Sequence, residues 1–135
     1  MNLKEQALDP NTPPEILTIL ARDEDWNVRY GVAFNSNTPP EALTLLAQDE
    51  KWSVRWRVAE NPNTPTEILT LLAQDEDWNV RCRVAYNPNT PPEALTLLVQ
   101  DEDVRRRVAL NPNATREAIQ TVRAYEFYKE MEKVK

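Results

Sequence analysis

The chain repeats itself every 26 residues, and no other feature restricts its fold as much. Trp26, Trp52 and Trp78 are spaced by that interval, and so are Asn37, Asn63 and Asn89, each opening the phrase Asn-Thr-Pro. Counted from that asparagine, units run over residues 11–36, 37–62, 63–88 and 89–112. The last is two residues short, because Val104 follows Asp103 directly where the earlier units insert a tryptophan and its neighbour. Residues 1–10 read as a degraded half-unit serving as an N-terminal cap, with Ala7 and Leu8 aligned to Ala33 and Phe34. Residues 113–135 begin a fifth unit and then depart from it. A unit this short cannot bury an apolar face alone, so its core must form by stacking on its neighbours.

Two helical segments are expected in each unit. The first opens with Thr12-Pro13-Pro14-Glu15 and its counterparts at 38–41, 64–67 and 90–93, read as a capping box with proline in the first turn. Behind it, Ile16, Leu17, Ile19 and Leu20, matched by Leu43, Leu45 and Leu46, predict a short helix covered on both sides. The second segment follows an acidic cluster, in which Asp25, Asp77 and Asp103 are placed to cap its first turn. Val28, Val32 and Ala33, repeated in every unit, then fall in one narrow helical sector. Asn35-Ser36-Asn37 and its successors form the closing turn. No segment alternates with period two, so no strand is expected.

The run Val-Arg, then Val-Ala-x-Asn-Pro, then proline, spaced leucines and aspartate resembles the leucine-rich repeat variant over roughly residues 7 to 120. What the resemblance implies is an all-α, right-handed solenoid of short paired helices, α alternating with a second short α- or 3₁₀-helix, without a β-sheet. HEAT repeats, with a similar Asp…Val-Arg phrase but longer units, are the nearest alternative. An N-terminal iron–sulfur cluster held by several cysteines, known in one family member, does not carry over, since Cys82 is the only cysteine.

Composition narrows the chemistry. There is no histidine, and Gly31 is the only glycine. The chain therefore lacks the usual general acid–base side chain and the means to build a phosphate-cradling loop. A Cys/His zinc site is excluded for the same reason, and no cofactor is expected. Paired carboxylates stay open as a chemical possibility. The N-terminal stretch has no apolar core of signal-peptide length and no run suits a membrane span, so a cytoplasmic location is expected.

Candidate residues divide into those that repeat and those that vary. Arg29, Arg55, Arg81 and Arg105 repeat, and are expected to form a stacking ladder of ion pairs with Asp23, Asp49, Asp75 and Asp101 or their neighbours. Trp26, Trp52 and Trp78 are expected to act as spacers between units, and Asn35, Asn61, Asn87 and Asn111 to bond turn backbone. The variable positions hold Tyr30, Trp56, Cys82 and Arg106; Gly31, Arg57, Arg83 and Arg107; and Phe34, Glu60, Tyr86 and Leu110. Helical geometry turns these away from the valine sector. Tyr30, Phe34, Trp56, Arg57, Cys82, Arg83, Tyr86, Arg106 and Arg107 are thus the expected partner-binding strip. Glu117 to Lys135 reads as a closing helix that covers the last unit with Ile119, Val122, Tyr125, Met131 and Val134, with Lys129, Lys133 and Lys135 near its negative end.

The functional expectation is a non-catalytic scaffold binding a protein or peptide, as a monomer or a weak homodimer through the C-terminal helix. The alternative is nucleic-acid binding through the arginine stripe. Eight of the sixteen basic residues lie in the Val-Arg segments, but the net charge of −6 opposes that reading.

Overall fold

The computed structural model describes residues 1–134, which form ten α-helices and no strand. Helix α1 (Leu3–Leu8) is followed by a short helix α2 (Pro14–Leu20) and a longer one, α3 (Trp26–Phe34). The pair recurs as α4 (Pro40–Leu46) with α5 (Trp52–Glu60), and as α6 (Thr66–Leu72) with α7 (Trp78–Tyr86). It recurs again as α8 (Pro92–Leu98) with the shortened α9 (Arg105–Val108), before α10 (Arg116–Lys133) closes the stack. Both helices of each unit are α-helical, and no 3₁₀-helix occurs among the described residues. The second helices pack on one another in the order α1, α3, α5, α7, α9, α10. No helix is long and apolar enough to cross a membrane.

The core is a column of equivalent residues. Leu17, Leu43, Leu69 and Leu95 from the first helices meet Val32, Val58, Val84 and Val108 from the second, all fully buried. Each buried aliphatic side chain contributes about 1.5–3 kcal/mol relative to exposure. The first helices are not covered on both sides, however. Ile19, Leu45, Leu71 and Leu97 form an exposed row, because a seven-residue helix in a single stack has an outer face with no neighbour.

The expected Thr-Pro-x-Glu capping box does not form. Pro13, Pro39, Pro65 and Pro91 occupy the N-cap positions, without a side-chain cap. The threonines before them face backwards instead. Thr38 Oγ1 donates to the Val32 carbonyl at 2.6 Å, and Thr64 and Thr90 do the same to Val58 and Val84. Each threonine thereby adds a second donor to a carbonyl in the last turn of the preceding long helix, which also accepts from the amide of the C-cap asparagine. Asp25 and Asp77 cap α3 and α7 as expected, accepting from the amides of Asn27 and Asn79. Asp103 does not cap α9: the two-residue deletion brings Val104 to the N-cap, and Asp103 lies 3.7 Å from Arg81.

The asparagines lock unit to unit. Asn61 Nδ2 donates to the carbonyls of Ala33 and Asn35, one repeat earlier, while its Oδ1 accepts from the amide of Asn63. Asn35, Asn87 and Asn111 repeat the pattern, reaching Ala7, Ala59 and Ala85. All four are buried, and no buried side-chain nitrogen or oxygen among the described residues lacks a partner. Helix α1 takes the place of a preceding long helix for α3, and it does so at close range. A Cβ built on Gly31 would sit 2.9 Å from the Ala7 Cβ, so the glycine there permits the contact.

At the other end, α10 covers the stack with Ala118 and Val122 alone fully buried. Met131 and Val134 are exposed, in contrast to the expected cover, because the helix runs past the last unit; Tyr125, partly exposed, still stacks on Arg105 and donates to Gln100 of that unit. Phe127 and Tyr128 are exposed beside them. Lys129 and Lys133 stand in its C-terminal half, while Lys135 lies outside the described residues.

Candidate functional site

The outer face of α3, α5 and α7 carries two parallel systems. The first is the arginine ladder. Arg29 Nε donates to Asp49 at 2.6 Å and Arg55 Nε to Asp75 at 2.7 Å; Arg81 pairs with Asp101 in the same manner. Each arginine thus reaches the acidic cluster of the following unit. Its other nitrogen returns to its own unit, as Arg55 Nη1 does to the Asp49 carbonyl at 2.7 Å. One guanidinium therefore clamps two units, and its planar fork suits the task. The carboxylate bond of Asp75, outweighing burial, holds the Arg55 pKa above the ordinary arginine value, and Asp49 does the same for Arg29. Arg105 breaks the series. It donates to the Val99 carbonyl and stacks 3.7 Å over the Tyr125 ring, with no carboxylate bridge among the described residues. In the shortened unit no acidic cluster follows it.

The second system is the strip of variable residues, and it is more tightly knit than free projection into solvent would make it. Arg57 lies 4.9 Å from the Tyr30 ring centroid, 4.6 Å from Phe34 and 4.5 Å from Trp56. Its Nε donates to Tyr30 Oη at 2.7 Å, and its Nη1 reaches Glu60 at 2.6 Å. Arg83 follows, over Trp56 at 4.8 Å and Tyr86 at 5.4 Å, sharing Glu60 at 3.6 Å. Arg107 ends the stack over Tyr86 at 4.5 Å. Cations and aromatic faces alternate along this column, and each contact adds modest attraction. Tyr30, Trp56 and Cys82 pack against the core and are half-buried, so they do not stand clear of it as the helical projection suggested. Phe34, Tyr86 and Arg107 are exposed. Arg106 is drawn away from the strip to Glu126 on α10 at 2.8 Å.

The tryptophans expected as spacers between units are in part at the surface. Trp26, Trp52 and Trp78 are 37%, 46% and 52% exposed. Each is the first residue of its long helix, where the chain enters from the acidic loop, too far from the valine sector to be covered. Trp52 and Trp78 line an open groove of about 400 Å³ with Tyr30, Ser53, Trp56, Asn79, Cys82, Arg83 and Tyr86. Trp52 and Trp78, expected as spacers, and Trp56, expected in the partner-binding strip, share one surface. Three tryptophans recurring directly behind a charged loop, with no apolar neighbour at i−3 or i−4, were the signal for it. Among the described residues no group of three metal-ligating side chains is assembled.

Stacked two-helix units of one design make the chain a helical repeat protein. The family model described as leucine rich repeat variant matches residues 52–77 and 78–103, two adjacent units, and these are leucine-rich repeat variant repeats. Comparison with curated proteins and with solved structures gave no significant match.

Proposed function

We propose that the chain is a non-catalytic scaffold, with the cytoplasm as its expected location, that docks a protein or peptide segment in the groove over α3, α5 and α7. The observation that carries this reading is the pair Trp52 and Trp78. Both are about half exposed at equivalent positions, over a floor already ordered by the Arg57–Trp56–Arg83 stack. Large rigid aromatics beside guanidinium groups are the residue types on which binding energy concentrates. A floor held in place before binding also lowers the ordering cost of association. Catalysis has less support: the chain offers no histidine, and carboxylates such as Asp75 and Asp77 are engaged in pairing and capping.

The nucleic-acid alternative draws less support from the same geometry. Of its eight arginines, Arg29, Arg55, Arg57, Arg81, Arg83 and Arg106 stand within ion-pair distance of carboxylates. Steeply salt-dependent binding of an oligonucleotide would revive it.

The test is site-specific photo-crosslinking in the native host. A photoreactive residue at Ser53 or Asn79, inside the groove, should capture a partner, and one at Glu67 on α6 should not. Capture from Glu67 with none from the groove would overturn the reading.

A further inference from the structure

The groove over α5 and α7 is chemically one-sided. Among the described residues that line it there is no carboxylate, and Arg83 carries the only charge. Besides aromatic rings it offers mainly hydrogen-bond donors. The Arg83 guanidinium and the indoles of Trp52, Trp56 and Trp78 can donate and cannot accept, and the side chains of Ser53 and Asn79 add further donors. No hydrogen bond among the described residues uses those indoles, the Ser53 hydroxyl or the Asn79 side-chain amide, although every buried side-chain nitrogen and oxygen there is satisfied. Asn27, at the equivalent position two units earlier, turns its side-chain amide back to Asp25 at 3.1 Å, and Asn79 makes no such bond to Asp77. The ligand that matches this surface brings carbonyl acceptors and apolar bodies, and no cation.

Spacing restricts its conformation. Trp52 and Trp78 open α5 and α7, which pack directly on each other. Packed helices lie about 8–10 Å apart, and that sets the interval between equivalent positions on them. A β-strand returns a side chain to the same face about every 6.7 Å, out of step with this interval. An α-helix comes near it at every seventh residue, but its carbonyls are engaged within the helix. A polyproline II segment turns once in three residues, about 9.3 Å, and its carbonyls have no internal partner. Proline, moreover, has no N–H to be satisfied in a groove that is poor in acceptors.

We propose that the groove's occupant is a proline-rich segment in the polyproline II conformation, lying across α5 and α7 with prolines one turn apart on Trp52 and Trp78 and with its carbonyls accepting from the indoles, Asn79 and Arg83. This rests on the reading that the groove docks a polypeptide. The match is electrostatic as well as steric, since a site holding donors and a single cation attracts carbonyl dipoles and disfavours lysine and arginine. Aromatic-lined grooves suit such segments in general, because a chain that is already extended and stiff loses little entropy on docking.

The probe is a fluorescein-labelled oligoproline, with a glycine–serine peptide of the same length and a helix-forming peptide of alanine, glutamate and lysine as counterparts, read by anisotropy at physiological salt. The oligoproline should bind, and the other two should bind at least about tenfold more weakly. Trp52→Leu and Trp78→Leu should each weaken oligoproline binding about fivefold or more, as truncation of an anchoring aromatic does. Trp78→Phe keeps an aromatic face and loses the indole donor, so its affinity should fall between those of the unaltered chain and Trp78→Leu. Trp26→Leu removes a tryptophan of the same register that does not line the groove, and should leave binding nearly unchanged. Circular dichroism checks that each variant folds. No binding of the oligoproline, equal binding of the glycine–serine peptide or tighter binding of the helical one would overturn the proposal. So would equal losses in Trp26→Leu and the two groove variants, or a Trp78→Phe variant that binds as the unaltered chain does. In those cases, crosslinking from Ser53 that persists would leave the groove as a docking surface with only the proline-rich occupant rejected, whereas its loss would reject the groove itself.

Discussion

At the scale of single residues, two arginines on neighbouring long helices, Arg55 on α5 and Arg83 on α7, do different work. Arg55 is buried with Asp75, and removing it strands a carboxylate that has few routes to water. Arg55→Ala should therefore cost about 3 kcal/mol, seen as a large fall in Tm, since breaking a buried pair leaves its partner uncompensated. Arg83, with its side chain 37% exposed, gives up only surface contacts to Glu60, Trp56 and Tyr86. Its replacement by alanine should cost about 1 kcal/mol or less. Equal losses in thermal or denaturant melts would mean that the ladder does not hold the units together. The two roles could be told apart in the sequence, because one arginine repeats in every unit and the other gives way to Gly31. The tryptophans could not. Trp26, Trp52 and Trp78 repeat in every full-length unit and yet are exposed, so repetition alone does not separate a stacking residue from a repeated surface site.

At the scale of elements, helix positions were legible, while the choice between α and 3₁₀ and the bonds at helix ends were not. The 26-residue period, the prolines and the valine sector suffice to place paired short helices. Whether a threonine before Pro-Pro caps the helix ahead or bonds the helix behind depends on the direction in which the chain enters, and that is set by stacking. The exposed row of Ile19, Leu45, Leu71 and Leu97 was hidden for a similar reason, since an apolar run does not show how many neighbours cover it. The cap of α3 gives a pH test. The Asn27 backbone amide, and then the Asn27 side chain, hold the Asp25 pKa below its ordinary 3.8. A depressed carboxylate stabilises the fold above its unfolded-state pKa, and that contribution is lost as pH falls through the folded value. Asp25→Asn should thus flatten the acid side of the stability profile below about pH 4, without moving the neutral plateau much. Gly31 offers a second test. Alanine there would gain about 1 kcal/mol in helix propensity but would press on Ala7. Helix α1 has six residues and buries only Ala7, so it is the partner that yields, and hydrogen exchange of its amides should quicken while α5 and α7 are unaffected. Unchanged protection of α1 would show that the contact has room to spare.

At the scale of the whole molecule, a solenoid holds together through nearest-neighbour interfaces, so its weakest joint decides where it opens. The joints here are unequal. Between the second and third units Arg55 bridges to Asp75, Asn87 bonds Ala59, and two nine-residue helices lie together. Between the third and fourth units the Arg81–Asp101 pair and the asparagine bonds from Asn111 to Ala85 and Asn87 persist, but α9 has only four residues and no side-chain cap. Beyond it, Arg105 has a tyrosine ring in place of a carboxylate, and α10 buries only Ala118 and Val122 before running on into solvent. Unfolding should therefore begin at the C-terminal end. Native-state hydrogen exchange followed by NMR should show the buried amides of α5 and α7 opening only with the whole molecule. Those of α9 and the first turns of α10 should open at lower denaturant, by about 1–2 kcal/mol, in the manner of a local cooperative unit. Deleting residues 127–135 should leave that order intact, because Phe127, Tyr128 and Met131 are exposed and cover nothing in the stack. If the truncation instead raises the exchange of α9, the overhanging turns are held by a second copy of the chain, the weak homodimer that the exposed aromatics of α10 could form. A concentration-dependent sedimentation coefficient, lost on truncation, would then accompany it. A single exchange free energy across all the helices would show that the short fourth unit costs the array nothing.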